Sequence, residues 1–491
     1  MKILMVTPEI TPFAKTGGLG DMVASLSKSL ASRGHDVRLV CPFYGCVREW
    51  TSKGVWNAHD TPLVVQLGYG HRAYALRHET LLPGSQAKIY FLEYDRYFHR
   101  SEIYAGPWGG HSDNHERFAF LSRAAIDLCY SLEWVPDVIH CHDWTTGFVP
   151  VYLNTTERTQ KLGACASVMT VHNLKHQGIF GREIMGFAGL PDEVFRPDGL
   201  ECLGNVNMLK GGLYHATKIT TVSPTYSHEI QTPEYGHGLD SLLKFRSADL
   251  IGILNGIDTD VWDPRTDPFL PAHYEATSLD GKAACKRALQ ERLGLEQDPN
   301  KLIFAAVARL DPQKGLDLLA EAAPWVLDSM HAQIVLLGTG CEELSARFSQ
   351  LAARYPGRMG VHLGYEAALA HIIEGGADIF VMPSRFEPCG LNQMYSMAYG
   401  TPPIVRATGG LLDTVDQYNE ATGEGTGFVF GEPSAKALYY TMGWACATYY
   451  DRLEHFRKLQ SRGMGKDFSW YHSAIEYENF YNWAVQARHS V

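Results

Sequence analysis

Lys15-Thr16-Gly17-Gly18-Leu19-Gly20-Asp21 is the first stretch whose residue types suggest chemistry. It follows a short apolar run, Ile3 to Val6, and precedes residues at helical spacing, Met22, Leu26 and Leu30. A strand, a glycine-rich turn and a helix in that order suit an anion. The glycines let backbone N–H groups approach it closely, and the helix N-terminus adds partial positive charge. The spacing is neither G-x-x-x-x-G-K-[ST] nor G-x-G-x-x-G, and the competing reading is a tight turn that binds nothing. Arg309 and Lys314 flank Asp311-Pro312-Gln313 just before a helical segment. A forked guanidinium and a compact ammonium at such a place suit a diphosphate, against the alternative of surface ion pairing. Glu387, in Arg385-Phe386-Glu387-Pro388-Cys389-Gly390-Leu391, is the candidate catalytic carboxylate: it can bond sugar hydroxyls and face an oxocarbenium-like centre. Otherwise it is a first-turn helix acid favoured by the macrodipole.

His140-Cys141-His142-Asp143 places two histidines on one strand face. No third convergent ligand can be named, so no metal is expected, and Asp143 reads as a residue that contacts sugar or acceptor. His172, just after the apolar run Val168 to Val171, reads as a donor to a sugar or carbonyl rather than a core histidine.

The elements that carry these residues follow from apolar runs alternating with helical segments. The first half predicts strands at Ile3–Val6, Val37–Val40, Lys88–Leu92, Val138–Cys141, Ser167–Val171 and Ile219–Val222. Helices are predicted over 21–33, 115–132, 144–155 and 206–216, with a hairpin insertion over 58–80. After a Pro/Asp/Thr-rich stretch over 262–282, read as a surface loop or linker, the pattern restarts. Strands there are Ile303–Val307, Gln333–Leu337, Gly360–Leu363, Ile379–Met382 and Pro403–Val405, with helices near 283–293, 315–329, 342–354, 366–375 and 391–399. Such alternation predicts parallel sheets covered on both faces. Ligands of these sheets bind beyond the carboxyl ends of the strands, where the polar residues named above fall. The expectation is an α/β protein of two Rossmann-like, doubly wound domains, 1–255 and 256–466, facing a deep interdomain cleft.

Composition narrows the class. At 491 residues the chain exceeds one core. A net charge of −11 argues against nucleic acid or an anionic membrane as partner. The ten cysteines form no C-x-x-C pair, and no apolar run approaches a membrane span. The N-terminal apolar run is too short for a secretion signal. These features predict a cytoplasmic protein.

Taken together, the Lys15–Asp21 heptapeptide, His142-Asp143-Trp144, Val171-His172-Asn173, Asn255-Gly256-Ile257-Asp258, Arg309-Leu310 with Gln313-Lys314-Gly315, the Pro383–Leu391 segment and Asp467-Phe468-Ser469-Trp470 resemble the bacterial glycogen synthase and plant starch synthase family, end to end and in order. The resemblance implies a GT-B fold and retaining transfer of glucose from ADP-glucose to the non-reducing end of an α-1,4-glucan. No cofactor is implied, ADP-glucose being a co-substrate. It implies that Glu387, Arg309, Lys314, Asp143 and His172 are catalytic, and that Lys15, Gly17, Gly18, Tyr104, Asn255, Tyr365, Gly390 and Leu391 bind substrate. Lys15 would meet phosphate, and Tyr365 would cover the adenine. A helix over 467–491 would leave the nucleotide-sugar domain and complete the first, acceptor-side domain. Many GT-B enzymes carry a second glutamate eight positions after the first; here that position is Tyr395. Alternatives are a transferase using UDP-glucose or a small acceptor, and a catalytically idle glucan-binding protein.

Overall fold

The computed structural model describes residues 1–100, 102–106 and 109–490. The chain divides into two compact units, Met1–Gly256 with Trp470–Val491, and Ile257–Ser469. No helix among the described residues is long and apolar enough to cross a membrane.

The first unit is built on a nine-stranded sheet. Its strands are β1 (Lys2–Val6), β2 (Asp36–Pro42), β3 (Asn57–Gln66), β4 (Arg72–Leu81), β5 (Lys88–Glu93), β6 (Val138–His142), β7 (Ala166–Val171), β8 (Lys218–Thr221) and β9 (Leu250–Gly252), in the spatial order β9-β8-β7-β6-β1-β2-β5-β4-β3. Pairing is parallel from β9 to β5, as near-continuous apolar runs such as Ala166–Val171, buried throughout, require. The hairpin expected as an insertion is instead part of this sheet. β4 pairs antiparallel with β5 through Leu76↔Glu93 to Leu81↔Lys88, so β3 and β4 form its outer edge. β9 is three residues long and carries no alternation that a sequence pattern could detect.

Helix α1 (Gly18–Ser32) begins within the glycines, three residues before the predicted start. Helix α2 (Asn114–Ser131) lies against the sheet. The second unit holds an all-parallel sheet of β10 (Leu302–Val307), β11 (Ala332–Gly338), β12 (Met359–Leu363), β13 (Ile379–Met382), β14 (Pro403–Arg406) and β15 (Phe428–Phe430), ordered β12-β11-β10-β13-β14-β15. Helices α3 (Leu316–Ser329), α4 (Asn392–Ala398), α5 (Gly409–Thr414) and α6 (Ala435–Asp451) belong to this unit. The stretch expected as a surface loop is packed into it. Buried Asp267 accepts hydrogen bonds from His371 Nδ1 (2.7 Å) and the Tyr399 hydroxyl (2.5 Å). Trp262 is sandwiched between His371 and Tyr395, with centroids 4.0 and 3.8 Å away.

The last helix, α7 (Trp470–His489), belongs to the first unit and packs on α1 and β7. Its buried face is Trp470, Ser473, Ala474, Tyr477, Phe480, Tyr481 and Ala484, a helical spacing. The Tyr481 hydroxyl meets His140 Nδ1 at 2.8 Å. Glu478 takes a bidentate bond from Arg33 (2.7 and 2.7 Å) and one from His35 (2.7 Å). Ion pairs this open to solvent contribute little, whereas removing a buried aromatic ring costs roughly 3–5 kcal/mol, so the rings hold the helix. The Arg33 bond, and with it His35, lowers the Glu478 carboxyl to about 2 from an ordinary 4.5. Its contribution is therefore present above pH 4.5 and lost as pH falls through about 2. Thermal melts should show Phe480→Ala far less stable than Glu478→Gln at pH 7. The small deficit of Glu478→Gln should close as pH is lowered from 4.5 towards 2.

Candidate active site

In the second unit, the loop after β10 carries Arg309 and Lys314, and the loop after β13 carries Glu387. The Asp311 carboxylate caps the turn by accepting the Gln313 N–H at 2.9 Å. Gly315 follows with φ +62°, and a Cβ there would lie 2.1 Å from the Pro383 carbonyl oxygen, so the two loops touch through backbone. Arg385 reinforces that contact. Its guanidinium grips Asp317 at 2.7 and 2.6 Å, and its N–H donates to the Gln313 carbonyl at 2.8 Å.

The result is a buried ion pair that no local pattern announces. Lys314 Nζ donates to Glu387 Oε2 at 2.6 Å, and the Ser384 hydroxyl donates to the same oxygen at 3.0 Å. Glu387 is 5% exposed. Removing Lys314, the less buried partner, would leave the buried carboxylate uncompensated, at up to about 3–5 kcal/mol. Arg309 is the open cation of this region: its side chain is 59% exposed and lies 3.4 Å from Asp311. Tyr365, between β12 and the next helix, is 84% exposed. Gly390 and Leu391 lead into α4, where the Gln393 amide donates to the Gly390 carbonyl at 2.9 Å. Tyr395 is 8% exposed beneath Trp262 and so is committed to the core.

In the first unit, Lys15 Nζ pairs with Asp21 at 2.6 Å, and the Thr11 hydroxyl donates to the other Asp21 oxygen at 2.8 Å. The Gly17 N–H donates to Glu9 at 3.2 Å, while the Gly18 N–H carries no hydrogen bond among the described residues. Tyr104 donates its hydroxyl to Glu9 at 2.6 Å. Sequence reasoning passed over Glu9, whose partners lie up to 95 positions away.

Asp143 has φ +57°, a strained backbone for a side-chain-bearing residue. Its carboxylate accepts the backbone N–H groups of His172 (2.7 Å) and Asn173. Desolvation pushes the Asp143 carboxyl up to about 7 against those bonds, with Glu9 adding to the rise. Asp143 thus holds the turn that carries His172. Burial lowers the His172 imidazole to about 3, so it is neutral at pH 7 and bonds as a neutral group. Its Nε2 lies 3.1 Å from His142 Nδ1. His140 uses both nitrogens within the core, on Tyr481 and on Thr170 Oγ1 at 2.5 Å. Among the described residues no cluster of His, Cys, Asp and Glu is arranged to hold a metal ion. Asn255 is buried, with an Oδ1 that has no partner among the described residues.

Two Rossmann-like units in tandem, with cations and a buried carboxylate beyond the strand ends of the second, define a GT-B glycosyltransferase. A family model described as starch synthase catalytic domain matches residues 2–245, and one described as glycosyl transferases group 1 matches 288–447. The chain is 46% identical to glycogen synthase 1 of Geobacter sulfurreducens over 99% of its length and 97% of that protein's. It is 41% identical to the glycogen synthase of Treponema denticola over 100% of both chains. Among solved structures it is similar to the catalytic domain of starch synthase IV from Arabidopsis thaliana bound to ADP and acarbose, with a TM-score of 0.91, 35% identity and 99% of each chain covered. Sucrose-phosphate synthase from Thermosynechococcus elongatus shares the fold, with a TM-score of 0.60 and 17% identity. The chain belongs to the glycogen synthase and starch synthase family.

Gly409 supplies a sharp test of the site's geometry. Its φ is +45°, and a Cβ there would lie 1.9 Å from the Glu387 carbonyl oxygen. Gly409→Ala should move Glu387 and cut kcat about 100-fold, as misplacement of a reacting group by about 1 Å does. Circular dichroism should show the fold retained.

Proposed function

We propose that the protein transfers glucose from ADP-glucose to the non-reducing end of an α-1,4-glucan with retention of configuration. The observation that carries this reading is the Lys314–Glu387 pair, with the open guanidinium of Arg309 on the same loop as Lys314, in a chain of this family. Arg309 and Lys314 neutralise the departing diphosphate; in the first unit, Lys15 and the Gly18 N–H are the groups suited to a phosphate. Their charge serves where a divalent ion would, and no metal or other cofactor is required. Glu387 meets the donor glucose and stabilises the positive anomeric centre as the leaving group departs. The acceptor hydroxyl attacks from the face the diphosphate leaves. In the first unit His172, neutral at pH 7, is suited to bond a sugar hydroxyl as a neutral group. Tyr365 covers the adenine, and Asn255, Gly390 and Leu391 complete the substrate contacts.

The donor preference draws support from the Arabidopsis thaliana starch synthase IV structure, which is bound to ADP and acarbose. The test is incubation of the protein with glycogen and either ADP-glucose or UDP-glucose, measuring the nucleotide released and the glucose incorporated. ADP release should exceed UDP release by at least about tenfold, a difference of 1.4 kcal/mol in transition-state binding. Preference for UDP-glucose would overturn the donor assignment, and glycogen binding without transfer from either would leave a glucan-binding protein.

A further inference from the structure

The glycine loop of the first unit is built around an anion that the protein itself supplies. Glu9 lies between β1 and α1 and is 3% exposed. Its Oε2 accepts the Thr16 N–H at 2.6 Å and the Gly17 N–H at 3.2 Å. Its Oε1 accepts the Thr16 hydroxyl at 2.8 Å and the Tyr104 hydroxyl at 2.6 Å. Four donors use up the lone-pair sites of a carboxylate. The Glu9 backbone is fixed as well, its carbonyl accepting the Thr7 hydroxyl at 2.6 Å. Gly20 comes so close that a Cβ there would lie 3.4 Å from Glu9 Cβ.

A glycine turn at a helix start offers its N–H groups to an anion. Here the two that precede α1 are filled, so a phosphate cannot use them while Glu9 stands. The Gly18 N–H and the half-exposed ammonium of Lys15 remain. The Tyr104 hydroxyl has one proton, which goes to Glu9, so it cannot also donate to a phosphate. Burial and that neighbouring negative charge raise the phenol well above its ordinary range.

We propose that Glu9 is a positioning residue that sets the shape of the Lys15 loop, and that Tyr104 acts on the donor through Glu9 rather than by touching it. The proposal rests on the reading of Lys15 and Gly18 as donor contacts. A glutamine at position 9 would turn either its amide N–H groups against the loop's own donors or its one oxygen away from Tyr104. A phenylalanine at 104 would remove a single hydroxyl and leave the ring packed on Phe118.

The test compares wild type, Glu9→Gln, Tyr104→Phe and the double variant by amide hydrogen exchange over residues 14–20 and by donor KM and kcat, using whichever nucleotide sugar the wild type prefers. Both single variants should speed exchange there and raise donor KM about tenfold or more, as loss of a hydrogen bond to a charged group does. The double variant should match Glu9→Gln rather than the product of the two, because both act through one contact. A fall in kcat for Tyr104→Phe with exchange unchanged would place the phenol on the substrate and overturn the proposal. Faster exchange in Glu9→Gln with donor KM unmoved would overturn it too. The exchange arm reads Glu9's grip on the loop whichever donor is used, so failure of the ADP-glucose reading is seen separately in the choice of donor.

Discussion

The ion pair between Lys314 and Glu387 is the interaction on which the second unit's site depends. A carboxylate as deeply buried as Glu387 needs a partner, and Lys314 is the one cation bonded to it among the described residues. Holding the two together requires the loop after β10 to touch the loop after β13. Much of the local structure does that: Gly315 against the Pro383 carbonyl, Arg385 across Asp317, and Gly409 beneath the Glu387 backbone.

The first unit obeys the same rule. Lys15 is held by Asp21, and the N–H groups of Thr16 and Gly17 by Glu9. Most groups that an anionic substrate would want are therefore already engaged by an internal carboxylate, apart from the Gly18 N–H and from Arg309, whose contact with Asp311 is long and open to solvent. These carboxylates keep each loop shaped without substrate.

Much of this architecture was legible in the residues. Buried parallel strands read as apolar runs, and the polar residues after them marked the ends where ligands bind. The closing helix over 467–491 was implied by the family resemblance. The partners were not legible. Glu387 and Lys314 are 73 positions apart and Glu9 and Tyr104 are 95 apart, and no periodicity connects them. The stretch around Trp262 read as a loop because its prolines and aspartates are turn formers, yet Asp267 and Trp262 bury themselves against His371, Tyr395 and Tyr399. β9 and β15, three residues each, are too short to show a pattern. Asp143 read as a sugar or acceptor contact from its place after a strand; that its carboxylate also bonds the backbone carrying His172 was not legible.

The most direct measurement is the affinity for ADP, by calorimetry, of the wild type, Lys314→Ala and Glu387→Gln. If Lys314 is shared between the carboxylate and the diphosphate, Lys314→Ala should bind ADP about tenfold or more weakly, the worth of one charge-assisted bond. Glu387→Gln, which frees the ammonium, should bind ADP at least as tightly as wild type while losing turnover. Equal loss of ADP binding in both variants would contradict this, and would make the pair a structural clamp with no part in neutralising the leaving group.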